Sequence, residues 1–242
     1  MPEIDSELHD YVVGLRRKIH KHPETALEEI QTTETIAKAL KEAGVETDTI
    51  PNLTGAVGLL KGAGDGPTIG LRADIDALPV REMNSVPYKS RIDGVMHACG
   101  HDANTAVMLG VARKIVETGF QKRMKGNVKF LFQPAEERLM GAEKMIGKGV
   151  LENPVVDRVI AGHMAPDLPV GKVGIFRNIA YASSDSFRLV IHGKGGHGAR
   201  PEECVDPIHA GAFFITQIQS IVSRNISNCY FGIVDIKATV LA

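Results

Sequence analysis

The amino-acid sequence predicts an α/β fold, a layered domain with a mixed, largely parallel sheet followed by a small and incomplete α+β domain. Three observations lead to this prediction. Apolar residues recur at helical spacing in several segments, and short apolar runs with glycine-rich turns alternate with those segments. The pattern of apolar and polar residues also changes near Ala180. We therefore expect one domain over residues 1–182 and a second over residues 183–242.

Helices and strands alternate along the first domain. A first helix is predicted to end at Pro23 and a second at Gly44, because apolar residues before each recur every three or four positions. A third helix is predicted to begin at Asp102 and to end at Gly119. The predicted buried strands lie over residues 57–61, 68–72, 128–132 and 158–162. Strands that alternate with helices in this way are typical of a parallel sheet.

A strand, a helix and a strand are predicted in the second domain. Residues 186–192 alternate apolar and polar side chains, as a half-exposed strand does, and a glycine loop follows over 193–198. Asp206 followed by Pro207 indicates a helix start, with an N-cap residue before a proline in the first turn. The second strand is expected over 233–241, and no second helix follows it in the sequence.

The composition narrows the classes of protein that are compatible with this chain. Its 242 residues carry a formal net charge of -1, so there is no basic surface of the kind that binds nucleic acid. No apolar run is long enough to span a bilayer, and the N-terminal residues lack the basic and apolar regions of a secretory signal. Three cysteines form no disulfide framework. We therefore expect a cytoplasmic protein that binds neither nucleic acid nor membrane.

The sequence HACGHD, residues 97–102, lies between an irregular stretch and the third helix. Its Cys99 and His101 stand two positions apart, so both side chains can face one cleft. A thiolate and a neutral imidazole are good ligands for zinc-like metals. Two other interpretations stay open for this motif alone: a buried cysteine beside a hydrogen-bonded loop histidine, or a cysteine nucleophile with His101 as its base.

Acidic and imidazole side chains also follow directly after predicted strands. Glu136 and Glu137 in the sequence QPAEE follow strand 128–132, and His163 follows strand 158–162. Active-site residues of open α/β sheets gather at the carboxyl ends of strands. Adjacent carboxylates there are costly unless they are neutralised, and a metal can neutralise one while the other serves as a general base. Taken alone, the pair is better interpreted as a solvated acidic turn.

Two aspartates, Asp74 and Asp76 in the sequence LRADIDALP, stand at the end of strand 68–72. An aspartate at such a position can orient a ligand histidine, although a turn or helix cap is the alternative for either residue. Four clusters of cysteine, histidine, glutamate and aspartate at strand ends of one domain are informative together. Their combined chemistry fits hydrolysis by metal-activated water.

Five sequence strings occur in the order found in the M20 family of peptidases and aminoacylases: RRKIHKHPE, LRADIDALP, HACGHD, QPAEE and GKGGHGARP. The chain resembles most closely the branch that includes aminoacylases, hippurate hydrolases and plant auxin-conjugate amidohydrolases. This resemblance covers essentially the whole chain and implies hydrolysis of the amide bond of an N-acyl amino acid. It also implies a catalytic metal-binding domain followed by a lid domain, through which two subunits would form a homodimer.

The resemblance implies a role for each candidate residue. A site for two divalent metal ions, zinc, manganese, cobalt or nickel, would take its ligands from Cys99, His101, Glu137 and His163. Glu136 would be the general base and acid, with Asp76 as a supporting acid and Asp74 as a further candidate beside it. His197, in the string GKGGHG, would be the lid histidine that stabilises the oxyanion, reaching in from a partner subunit's lid.

The chain departs from the family pattern in three places. Asn104 and Glu202 stand where the family often has histidine, and residues 138–140 replace a glycine-rich run after QPAEE.

In the family, the chain returns from the lid to the catalytic domain and supplies a further metal-ligand histidine. The 242 residues contain no counterpart of that return, so we expect a truncated form whose second metal lacks a ligand. A non-catalytic remnant and a dipeptidase of the same family are the alternatives.

Overall fold

The computed structural model describes residues 5–177 and 187–225. Contacts between residues divide the chain into two compact units, Met1–Asp167 and Leu168–Ala242. The predicted domain boundary between residues 182 and 183 lies outside the described residues. None of the helices described is both long enough and apolar enough to cross a membrane.

The described residues of the first unit form four α-helices, a short 3-10 helix (Phe120–Lys122) and a five-stranded sheet. The helices are α1 (Ser6–Lys21), α2 (Ile30–Glu42), α3 (His101–Glu117) and α4 (Gly141–Gly147). The strands are β1 (Glu46–Thr49), β2 (Ala56–Lys61), β3 (Gly64–Asp74), β4 (Lys125–Gln133) and β5 (Arg158–Ala161). Every helix and strand predicted for this unit is present, and β1 and α4 are additional elements that the sequence pattern did not predict.

The sheet is mixed, as the sequence predicts, with the strand order β1-β2-β4-β3-β5. β2 pairs antiparallel with both β1 and β4, while β3 pairs parallel with both β4 and β5. α3 is the crossover that connects the parallel strands β3 and β4. The register pairs Asp74 with Gln133, so these two strands end at the same level of the sheet.

The central strand β4 is packed on both of its faces. Phe130 and Phe132 are completely buried and pack with Leu109 of α3 in the main core. Leu131 points to the opposite face, where it packs with Met145 of α4 in a smaller core. Side chains alternate across a strand, so this arrangement buries the three consecutive residues Phe130, Leu131 and Phe132. The end of β4, and with it the sequence QPAEE, is therefore held by packing from two layers.

In its described residues, the second unit has one long helix, α5 (Pro207–Ser220), followed by a short π-helical turn. Asp206 is its N-cap residue, and the Asp206 carboxylate accepts the amides of Ile208 (2.8 Å) and His209 (3.2 Å). This geometry confirms the helix start that the Asp206–Pro207 sequence predicts.

The strand predicted over 186–192 is wrong for residues 187–192, which have no regular secondary structure. Alternation of apolar and polar residues predicts burial on one side, but a strand also needs a backbone partner. Within the described part of this unit, strand pairing is confined to an isolated bridge between Lys194 and Val205. The second predicted strand, over 233–241, lies outside the described residues.

Candidate metal centre

Two neighbouring parallel strands bring their following segments to one edge of the sheet. β3 and β4 end together, and the amide of Ile75 donates to the Gln133 carbonyl (3.0 Å) just beyond the ladder. Residues 75–76 and 134–137 therefore leave the sheet side by side. α3 begins at His101 at the same edge, because a crossover helix starts beside the carboxyl ends of the strands that it connects.

His101 stands at the centre of the candidate site and is completely buried. Its Nδ1–H donates to the backbone carbonyl of Asp76 (2.9 Å), which leaves Nε2 as the acceptor nitrogen. This Nε2 is buried and has no hydrogen-bond partner among the described residues. It lies 3.5 Å from Asp74 Oδ2 and 3.9 Å from both Glu136 Oε2 and Glu137 Oε1. A lone pair that faces three carboxylates is unfavourable unless a proton or a metal cation lies between them.

Cys99 and His163 bring softer ligand atoms to the same place. The Cys99 Sγ atom lies 3.4 Å from His163 Nε2, and His163 Nδ1–H donates to the Met164 carbonyl (2.8 Å). The rings of His101 and His163 meet edge to face, with their centroids 5.6 Å apart. One ligand atom from each of Cys99, His101 and His163 lies within 4.8 Å of the other two. A single tetrahedral metal ion can bridge atoms at this spacing.

A second group of ligand atoms shares His101 with the first. Asp74, His101 and Glu136 also offer one atom each within 4.8 Å of the other two. Glu137 lies beside this group, and its buried Oε1 has no hydrogen-bond partner in the described part of the chain. Two overlapping groups with sulfur, nitrogen and oxygen donors fit a site for two divalent cations of the zinc type. The residues predicted from the four sequence clusters therefore converge on one edge of the sheet.

Asp76 fixes the backbone that carries the two glutamates. Its Oδ1 accepts the amide of Glu136 and its Oδ2 accepts the amide of Glu137, each at 3.0 Å. Burial acts to raise the pKa of Asp76, but hydrogen bonds from His101 and from these two amides outweigh burial, so the pKa lies below its ordinary value. Asp76 is therefore an ionised anchor that contacts the site through His101 and through backbone amides.

The electrostatics of the site reflect burial together with crowded carboxylates. Burial raises the pKa of Cys99 to about 12, and the charge of Glu137 adds to this rise. Burial also raises the pKa of Glu137, offset in part by His101 and reinforced by Glu136. Burial acts to lower the pKa of His101, but the hydrogen bond with Asp76 and the neighbouring carboxylates raise it to about 8. The neighbouring carboxylates all contribute negative charge, and a bound divalent cation would neutralise that charge.

The same geometry argues against Cys99 as a nucleophile with His101 as its base. A nucleophilic cysteine needs a lowered pKa and an imidazole that accepts its proton. Burial raises the pKa of Cys99 instead, and the imidazole at hydrogen-bonding distance belongs to His163. Ligand chemistry explains this cysteine better than thiol chemistry does.

Asn104 also helps to build the site, a role that the sequence does not predict; in the sequence it stands out only because the family often has histidine there. Its Nδ2 donates to Asp74 Oδ1 (2.7 Å), and its Oδ1 accepts the amide of Met164 (3.1 Å). The Asn104 side chain therefore ties the end of β3 to the segment that carries His163. Its position three residues after His101 puts both side chains on one face of α3, which is the signal that could have identified it.

His197 belongs to the second unit, where its side chain is exposed. Its Nδ1 accepts the backbone amide of Ala199 (3.1 Å). This contact orients the imidazole within its own glycine loop. A role for His197 in stabilising an oxyanion stays a prediction.

An α/β sheet that gathers sulfur, imidazole and carboxylate ligands at the ends of parallel strands defines a metal-binding α/β protein. Residues 70–234 match the sequence model of Peptidase family M20/M25/M40. This match covers more than half of the chain, so the chain belongs to that family, as its motifs predict.

Individual members of the family are similar to this chain in sequence and in structure. It is 43% identical over 233 residues to the N-acetylcysteine deacetylase of Bacillus subtilis (strain 168), covering 96% of this chain and 60% of the relative. It is 40% identical over 238 residues to the hippurate hydrolase of Campylobacter jejuni, covering 98% of this chain and 61% of the relative. A crystal structure of a dinuclear metal-binding peptidase of the M20 family from Bacillus subtilis has a TM-score of 0.68 and 42% identity, over 72% of this chain and 47% of that chain. The chain spans 60% and 61% of the length of these two curated relatives.

Proposed function

We propose that this protein carries out metal-dependent hydrolysis of the amide bond of N-acyl amino acids, releasing a carboxylic acid and a free amino acid. The observation that carries this proposal is the buried Nε2 of His101, which faces three carboxylates without a hydrogen-bond partner among the described residues. The names of the deacetylase and hippurate hydrolase relatives support the choice of an N-acyl amino acid as substrate.

The donor set supports two divalent ions of zinc, manganese, cobalt or nickel. The proposed ligands are Cys99, His101, Glu137 and His163, with Asp74 as an additional candidate. When bound, such ions lower the pKa of a water molecule and polarise the acyl carbonyl. The raised pKa of Cys99 means that its proton must leave when the thiolate becomes a ligand.

Glu136 is the proposed general base and acid. Its side chain is 34% exposed, so the carboxylate can reach a water molecule in the cleft while Asp76 holds the Glu136 amide. The carboxylate takes a proton from the attacking water and later delivers it to the nitrogen of the leaving amine. As the C–N bond breaks, the acyl group leaves as a carboxylic acid. Asp76 supports this step by fixing the backbone of both glutamates.

The remaining parts of the proposal concern the second unit and the assembly. Residues 1–182 would form the catalytic domain, and residues 183–242 would belong to a lid that contributes His197. A histidine that donates a hydrogen bond to the developing oxyanion would lower the barrier for attack. A homodimer that brings in the partner's lid, and a cytoplasmic location, are further parts of this proposal.

The proposal is tested with purified protein loaded with Zn²⁺ or Mn²⁺ in separate preparations. Metal content is measured by mass spectrometry, and turnover is measured with N-acetylcysteine, N-benzoylglycine and a panel of dipeptides. Glu136→Gln should retain metal at Cys99, His101 and His163 and lower turnover by about 10²–10⁴-fold, because a general base contributes about that factor. Glu143→Gln, an exposed glutamate on α4, is the matched control and should leave turnover unchanged.

Each alternative has its own outcome in this experiment. Metal bound without turnover by the unmodified chain favours a non-catalytic remnant. Faster cleavage of dipeptides than of N-acyl amino acids favours a dipeptidase. Turnover that persists after chelation of all metal favours a cysteine hydrolase and contradicts the proposal.

A further inference from the structure

The backbone amides of three consecutive residues, 135–137, donate hydrogen bonds to two buried carboxylates beside the candidate site. Glu29 Oε1 accepts the amide of Ala135 (2.9 Å), while the two oxygens of Asp76 accept the amides of Glu136 and Glu137. The contact between Glu29 and Ala135 joins segments that are 106 residues apart in the chain. We propose that Glu29 is a positioning residue that sets the direction of the Glu136 side chain. This inference rests on the proposed function, in which Glu136 transfers protons.

The surroundings of Glu29 indicate that its contact with Ala135 is specific. Glu29 occupies the N-cap position of α2, yet its side chain makes no capping hydrogen bond to that helix. Glu24 caps the helix instead, because its two oxygens accept the amides of Gln31 (3.0 Å) and Thr32 (2.8 Å). The Glu29 carboxylate is therefore free to turn away from its own helix and to reach the segment before Glu136.

Glu29 is also costly to bury. It is completely inaccessible to solvent, and it accepts hydrogen bonds from the Ala135 amide and from the Thr54 hydroxyl (2.5 Å). Burial raises its pKa, against these hydrogen bonds, which act to lower it. A buried carboxylate that has no cationic partner among the described residues is hard to explain as a contribution to stability. A gain in the precision of the neighbouring backbone explains it better.

Ala135 needs such an anchor because its backbone is strained. Its φ of 50° lies in the left-handed region, which an alanine adopts only when its surroundings enforce it. Its carbonyl accepts the amides of Met140 (3.4 Å) and Gly141 (3.3 Å), so Glu29 holds one side of the residue and the start of α4 holds the other. Loss of the Glu29 carboxylate would let this residue relax and would move the next one, Glu136.

The inference is tested on the full chain with three variants. Glu29→Ala removes the acceptor, Glu29→Gln keeps an acceptor oxygen, and Thr54→Val removes only the hydroxyl that orients it. Ile36→Val, in the core-facing part of α2, is the matched control because it loosens the same helix within a core cluster that includes none of residues 134–137. Metal content, kcat and KM are measured well below each variant's unfolding temperature, and amide exchange at 135–137 is measured by NMR without metal.

Glu29→Ala should lower kcat by about 10²-fold with KM changed less than about threefold, as expected when a catalytic group is misplaced by about 1 Å. Exchange of the amides at 135–137 should quicken, and Glu29→Gln should restore most of kcat. If Glu29→Ala does not fold, Thr54→Val decides the question through a smaller loss in the same direction.

Two results would overturn the inference. One is an equal kcat for Glu29→Ala and Ile36→Val, and the other is unchanged exchange at 135–137 in both Glu29→Ala and Thr54→Val. An unmodified chain without turnover would refute the proposed function instead. The exchange rates would then decide by themselves whether Glu29 anchors this segment.

Discussion

Removal of the Asp102 carboxylate should destabilise the protein strongly, because this side chain of α3 holds two side chains of α1. Asp102 is completely buried in the first turn of α3. Its Oδ2 accepts hydrogen bonds from Arg16 Nε (2.7 Å) and His20 Nδ1 (2.8 Å), both on α1. The other nitrogen of His20 lies 3.2 Å from Glu82 Oε1. The substitution Asp102→Ala leaves His20 with Glu82 as its remaining carboxylate partner in this described network.

The expected magnitude follows from the burial of each partner. His20 and Asp102 are 4% and 0% exposed, so breaking their contact is expected to cost about 3–5 kcal/mol of unfolding free energy. Arg16 is 34% exposed and regains water, so its share is at most about 1 kcal/mol. Asp102→Asn keeps an acceptor oxygen at the Oδ2 position and loses only the charge, which should cost about 1.5–3 kcal/mol.

The measurement is urea-induced unfolding followed by circular dichroism, with a chelator present so that metal bound near His101 does not contribute. Glu42→Gln is the control, because it breaks the exposed pair of Lys38 and Glu42 (3.8 Å) and should cost less than about 0.5 kcal/mol. The expected order of cost is Asp102→Ala, then Asp102→Asn, then the control. A cost for Asp102→Ala that is no greater than that of the control would refute this reasoning.

Three further predictions concern pH, backbone packing and metal binding. The hydrogen bond with Asp102 raises the pKa of His20 against the effect of burial. Protonated His20 therefore contributes its full stabilisation below the unfolded-state pKa of about 6.5, and this stabilisation is lost as pH rises through the higher folded-state pKa. Urea midpoints from pH 6 to 9 should therefore fall in the unmodified protein and change less in His20→Asn; parallel curves would contradict this. A methyl group at Gly141 would overlap the Pro134 carbonyl, so Gly141→Ala should cost at least about 1–3 kcal/mol of unfolding free energy. Thermal unfolding checks this cost against the control Gly147→Ala, whose added methyl group meets open space. Cys99→Ala should weaken zinc binding by about 100-fold or more, measured by competition with a chelator, while Cys204→Ala should not; equal affinities would remove Cys99 from the ligand set.

The sequence predicts where candidate site residues lie in the sheet when a motif follows a strand directly. The apolar run 128–132 predicts β4, and the glutamates after it lie at the sheet edge because parallel strands end together. Cys99 and His101 are predictable for a different reason, since they lie at the start of the crossover helix α3, which the sequence also predicts. Local patterns of this kind need only the alternation of apolar residues and the position of the strand ends.

Other features of the site depend on contacts that no local pattern encodes. The anchoring of Glu136 by Asp76 joins residues 60 positions apart, and Asn104 acts through the distant Met164. Strand β1 is equally hard to predict, because its four residues, Glu46–Thr49, are polar and mostly exposed at the edge of the sheet. Its strand conformation comes from pairing with β2 rather than from its own sequence.

The parallel pairing of β3 with β4 and β5 has a consequence for how the protein acquires its metal. The proposed ligands lie on segments that become neighbours only after α3 has crossed over and β5 has docked beside β3. His163 follows β5 by two residues, so it joins the other ligands last during synthesis from the N-terminus. A cation can therefore contact all of the proposed ligands only after the crossover and the docking of β5 are complete.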